Sequence, residues 1–143
     1  MGSKKAQQKL DNLQRWLAKI AHPVGALQSA KDKLDTTSAK INVQDMNNAD
    51  FVKGFAVVQK AFAEFDKKWS EWPGIIADCR KEAQDVKKYC ADNKKKHKLR
   101  PKLGKELDEI SKEVDKVILE IDNVENTLNT FAPVHRHWST ILK

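Results

Sequence analysis

Between residues 51 and 90 the chain carries apolar residues at alternating steps of four and three, and this pattern constrains its fold more than any other feature. Phe51, Phe55, Val58, Phe62, Phe65, Trp69, Trp72, Ile76, Cys79, Ala83, Val86 and Cys90 follow one another without a miss. An α-helix turns once per about 3.6 residues, so this spacing keeps one stripe on one face; a strand would need a period of two. The repeat averages about 3.5 residues, which implies left-handed winding against partner helices. One such helix cannot bury its stripe alone.

Two further segments supply partners. Leu10, Leu13, Leu17, Ile20, Val24, Leu27, Leu34 and Ile41 form the first, with Lys31 and Ser38 occupying two gaps in the register. Leu103, Leu107, Ile110, Val114, Val117, Ile121, Val124, Leu128 and Phe131 form the third, and His135, Trp138 and Leu142 continue it. The sequence therefore predicts an all-α fold: an elongated, antiparallel, coiled-coil-like three-helix bundle with helices over about 5–43, 49–93 and 104–142. Side-chain size supports the antiparallel order. The bulky first half of segment two would face Val24, Lys31, Leu34 and Ser38, and its slim second half would face Leu10, Leu13, Trp16 and Leu17. Phe62, Trp69 and Val124 are predicted to be buried.

A length of 143 residues suits one domain. With 33% charged residues, five Gly and four Pro, there is little turn chemistry for a sheet. His22-Pro23 and Trp72-Pro73-Gly74 interrupt the first and second segments, but the register survives both, so kinks at Pro23 and Pro73 are expected. Trp72-Pro73-Gly74 matches the W-x-G tripeptide that forms the inter-helix turn of small secreted helical-hairpin proteins. Its place inside an unbroken register favours a kink. Asn48 or Asp50 is the expected N-cap of the second helix. Pro101 and Gly104 are expected to delay the third, with Glu106, Asp108 and Glu109 in its first turn.

No apolar run spans a membrane, and no apolar stretch follows the basic N-terminus as in a Sec-type signal. Cys79 and Cys90, eleven residues apart on one helix, are too distant for a disulfide. These features point to the cytoplasm, with the nucleus or non-classical export as alternatives; Lys95-Lys96-His97-Lys98 fits a minimal nuclear-localisation pattern.

Nothing in the sequence assembles a catalytic or metal site. His135 and His137, two apart, point to different sides of a helix, and His22 is followed directly by Pro, unlike a phosphotransfer histidine on a regular helix. Glu106, Glu113 and Glu120 recur every seven residues without the histidines a di-metal bundle requires, and read as flanking residues of the core stripe. No enzyme activity and no cofactor are expected.

Charge is the clearest functional signal. Lys94, Lys95, Lys96, Lys98, Arg100, Lys102 and Lys105 lie in twelve residues without an acid. The chain's formal net charge is +7, so without these seven its cations and acids balance. In an antiparallel bundle, Lys4, Lys5 and Lys9 join them at the same end. The leading expectation is a non-enzymatic protein–protein interaction module, such as an adaptor, a scaffold or a secretion- or assembly-associated protein, with homo-oligomers a further option. The alternative is an anionic-surface binder, for nucleic acid or acidic lipid, through the basic 94–105 connection.

Overall fold

The computed structural model describes residues 2–41 and 47–142. Four helices account for nearly all of them: α1 (Gly2–Ala39), α2 (Asn48–Lys96), α3 (Pro101–Asn129) and α4 (Ala132–Leu142). Among the described residues there is no strand. The apolar pattern carries the first helix to residue 43, but α1 ends at Ala39, and Lys40 and Ile41 form a turn closed by the Ile41 N–H on the Ser38 carbonyl at 3.1 Å; residues 42–46 lie outside the described residues.

The chain divides into two compact units. The first comprises Met1–Ala21 and Gly74–Asn126, the second His22–Pro73 and Thr127–Lys143. Each is built from three helical stretches, so each is a three-helix bundle. The divisions fall at the His22-Pro23 and Pro73-Gly74 positions, yet α1 and α2 are continuous helices through both prolines. Trp72-Pro73-Gly74 is thus no inter-helix turn: Trp72 is buried and Pro73 and Gly74 face outward within α2.

The third segment does break. Thr130 and Phe131 close a turn by donating backbone N–H groups to Thr127 and Leu128, both at 3.1 Å, and α4 begins at Ala132. Pro133 then sits in the first turn of α4, where a missing N–H costs least. At the start of α2 the cap is Asn47, one residue before the expected pair. Its Oδ1 accepts the Asp50 N–H at 2.8 Å, which satisfies one of the orphan donors of the first turn. Asp50 instead provides the acid there.

In the first unit, Ala6, Leu10, Leu13 and Ile20 of α1 are buried, as are Ile76, Cys79, Ala83, Val86 and Cys90 of α2. Leu103, Leu107, Ile110, Val114, Val117 and Ile121 of α3 complete that core. The stripes read from the sequence are therefore the buried faces. In the second unit, Leu34, Val58, Ala61 and Phe62 form a buried cluster against which Ile41, Trp138 and Leu142 pack.

Several seam positions differ from expectation: Leu17, Val24, Phe51 and Phe55 are half-buried, and Pro23 takes the buried place beside Val24. Trp69 and Val124 are half-buried rather than buried. Trp69 lies beside the Trp72 and His135 rings at 5.5 and 5.4 Å, and an indole of that size rarely loses all its exposure. At Lys31 the seam rotates by one residue: Ala30 takes the buried place, and the half-buried Lys31 pairs with Asp35 at 2.9 Å. That bond and the Asp35 charge raise the Lys31 pKa above its ordinary value.

Gly25 and Gly74 are exposed inside helices, and a Cβ added at either would meet nothing within 4 Å. Gly25→Ala and Gly74→Ala should each raise stability by about 0.5–1 kcal/mol, measured by urea unfolding, because alanine has less backbone entropy to lose. A loss of stability at either would show that the helix there is not regular.

Candidate functional site

The basic stretch is more tightly folded than the sequence implies. α2 continues through Lys96, and α3 starts at Pro101, so the connection is four residues, 97–100, and not the span up to Gly104. His97 donates its N–H to the Asn93 carbonyl at 3.0 Å, Arg100 to His97 at 3.0 Å, and Gly104 to Arg100 at 3.1 Å. Pro101 opens α3 where its absent N–H is not needed. Gly104 is buried rather than helix-breaking, and a Cβ there would lie 3.7 Å from Lys94 Cγ. Because α3 begins at Pro101, it has no acid in its first turn; Glu106, Asp108 and Glu109 fall later.

The seven cations do not share one role. Lys94 Nζ donates to both Asp108 carboxylate oxygens at 2.9 Å. It is the last rung of a ladder between α2 and α3. Seven residues back, Lys87 meets Asp115 at 2.7 Å; seven further back, Arg80 meets Asp122 at 2.5 Å and Glu125 at 2.9 Å. Steps of seven up α2 match steps of seven down α3, the signature of antiparallel flanking positions. Asp122 foremost holds the Arg80 guanidinium in its charged form, raising its pKa further. Lys94 is thereby assigned to the scaffold.

The other basic residues face solvent. Lys95, Lys98, Arg100, Lys102 and Lys105 line an open groove of about 930 Å³ at the α2–α3 turn, together with Lys94 and its partner Asp108. Among the described residues lining it, Asp108 is the one carboxylate. Lys96 is exposed on the last turn of α2 but does not line the groove. Leu99, at the turn itself, is 96% exposed between Lys98 and Arg100.

The start of α1 lies at this end of the first unit, as an antiparallel arrangement requires. Lys5 and Lys9 place their ammonium groups 5.9 and 5.1 Å from the Tyr89 ring centroid, within cation–π reach. Lys4 lines a separate cleft of about 640 Å³ where Glu106, Glu109 and Glu113 are matched by Lys4, Lys112 and Lys116. Glu106 and Glu113 thus flank the α1 side of α3, while the aspartates serve the α2 side.

No family model, curated protein or solved structure matches this chain. Function has to be read from the geometry of these residues.

Other reactive side chains do not converge. Cys79 and Cys90 are free and buried, and burial pushes both thiols above their ordinary range, away from the nucleophilic thiolate. His22 and His137 are exposed on different helices. His135 is half-buried, its Nε2 2.6 Å from Asp66 Oδ1 and its ring stacked near Phe62 and Trp69 at 5.8 and 5.4 Å. It joins α4 to α2 within the second unit. Among the described residues, no group of three or more His, Cys, Asp or Glu side chains is arranged to hold a metal ion, and no helix is long and apolar enough to cross a membrane.

Two features of the site escape the sequence pattern of cations alone. The ladder has a signal that could reveal it, since aspartates recur every seven residues opposite cations with the same repeat. Leu99 has none, because exposure of an isolated leucine near Leu103 depends on where the helix ends.

Proposed function

We propose that this protein is a non-enzymatic binding module that docks an anionic partner through the basic α2–α3 turn of its first unit. The groove lined by Lys95, Lys98, Arg100, Lys102 and Lys105 carries this reading. Its one lining acid, Asp108, is already paired with Lys94. Like charges this close repel one another, and of these five only Lys95, in the last turn of α2, is favoured by a helix dipole. Lys102 moreover sits in the first turn of α3, the positive end of its dipole, where a cation is unfavourable by about 0.3–1 kcal/mol. A turn selected for stability alone would carry an acid there. The arrangement is better suited to meeting negative charge from outside.

Docking another protein through a helical flank has less support. The exposed large apolar residues Val52, Val57, Leu119 and Ile141 are scattered over three helices, outside the basic turn. An adaptor or scaffold role is compatible with a basic docking turn. Cytoplasmic placement belongs to the same reading, because two buried free thiols suit a reducing compartment.

The test is a binding series against duplex DNA, polyglutamate and phosphatidylserine-containing vesicles at rising salt. At least one of these probes should bind with an affinity that falls steeply as salt rises, because exposed charges are screened. Absence of binding to all three at low salt would overturn the proposal.

A further inference from the structure

Leu99 sits at the tip of a four-residue turn, 96% exposed, with Lys98 and Arg100 as its chain neighbours. The same turn carries the groove cations Lys95, Lys102 and Lys105. A leucine in water at the centre of a positive field contributes nothing to the fold: its side chain is as exposed as in an unfolded chain. A partner that rewards both features must offer negative charge around an apolar interior. An anionic bilayer does so, with phosphate and carboxylate headgroups over hydrocarbon only a few ångströms deeper. We infer that the α2–α3 turn docks end-on against an anionic lipid surface, with Leu99 inserted below the headgroups and Lys95, Lys98, Arg100 and Lys102 held at headgroup level.

The geometry suits that interface. Leu99 stands outside the lining of the groove at the tip of a short turn, so it can enter a soft, flat surface while the groove cations meet the headgroups. Lysine and arginine stems are long enough to keep their charges among headgroups while the leucine goes deeper. No Phe, Tyr or Trp lies between Lys94 and Lys105 as a stacking platform, and His97 is the one ring there, which sets the turn apart from single-strand nucleic-acid sites built on several aromatics. Electrostatic attraction alone would be non-specific; the apolar tip adds a contribution that salt does not screen. The contact would be reversible, since one leucine and a handful of cations anchor far less firmly than an acyl chain with a basic patch.

This inference rests on the proposed anionic docking, and the experiment separates the two. The full chain and its Leu99→Ser and Leu99→Phe variants are sedimented with vesicles of phosphatidylcholine alone and of phosphatidylcholine with phosphatidylserine, and titrated with duplex DNA and polyglutamate. Because Leu99 is exposed, all three should melt alike. The parent should bind the phosphatidylserine vesicles and not the neutral ones. Leu99→Ser should weaken that binding about tenfold, the effect of withdrawing one inserted aliphatic side chain, and Leu99→Phe should retain it. Vesicle binding that is indifferent to Leu99→Ser would overturn insertion. Binding to duplex DNA with none to the vesicles would overturn the bilayer as partner and leave anionic docking standing. Failure to bind vesicles, DNA and polyglutamate alike would overturn both.

Discussion

Phe65→Ala should lower the unfolding free energy by about 3–5 kcal/mol, the largest stability change expected from one substitution in this chain. Phe65 is fully buried. Its ring lies 6.3 Å from that of Phe131 and 6.2 Å from that of His135, so it joins α2 both to the turn after α3 and to α4. Truncation removes the transfer free energy of a phenyl group and leaves a void that rigid helical neighbours fill poorly. The second unit has a slender core around Leu34, Val58, Ala61 and Phe62, so little other apolar mass can move in. Val57→Ala serves as the comparison: that residue is half exposed on the same helix, and truncating it should change stability by less than about 0.5 kcal/mol. Urea unfolding followed by tryptophan fluorescence is the appropriate measurement, because Trp69, Trp72 and Trp138 all belong to the same unit. A cost below about 1 kcal/mol for Phe65→Ala would mean that α2 does not use this face.

Periodic features of this chain are legible in its sequence, and local ones are less so. The apolar stripe of α2 can be read residue by residue: from Val58 to Cys90 every position of the repeat except Trp69 is buried, while Phe51 and Phe55 near the helix start are half-buried. The Arg80, Lys87 and Lys94 ladder obeys the same repeat. Helix ends are harder to place. Pro101 and Gly104 look like breakers in sequence, but proline is harmless in a first turn, and Gly104 is buried within α3 against the Lys94 stem. The cap of α2 is Asn47 rather than Asn48 or Asp50; all three have capping side chains, and only the backbone path selects among them. The site follows the same division. The cluster of cations is plain in the sequence, whereas the withdrawal of Lys94 into the scaffold and the exposure of Leu99 depend on how α2 and α3 meet.

That division of labour among the cations leads to the second large effect. Replacing Lys95, Lys98, Lys102 and Lys105 together with Gln should weaken binding to an anionic surface by up to about 3 kcal/mol, or on the order of a hundredfold, at about 1 kcal/mol for each of the three lysines at headgroup level, Lys105 lying further along α3. On duplex DNA the same change should flatten the dependence of log affinity on log salt by up to about 0.9 for each phosphate that is no longer neutralised. The four lysines are exposed, so the fold should tolerate the change. Stability should change by less than about 0.5 kcal/mol, because relief at Lys102 in the first turn of α3 is offset by the loss of Lys95 from the last turn of α2. Lys94→Gln should behave in the opposite way. It removes a rung to Asp108 that is about half exposed, so it should cost less than about 1 kcal/mol of stability. It also frees the Asp108 carboxylate beside the groove, so its effect on affinity should be a few-fold at most. Thermal melts and vesicle or DNA titrations of both variants across a salt series would read these differences directly. If the quadruple variant binds with the parent's affinity and the parent's salt slope, the clustered cations are not the working surface, and the helical flanks become the place to look.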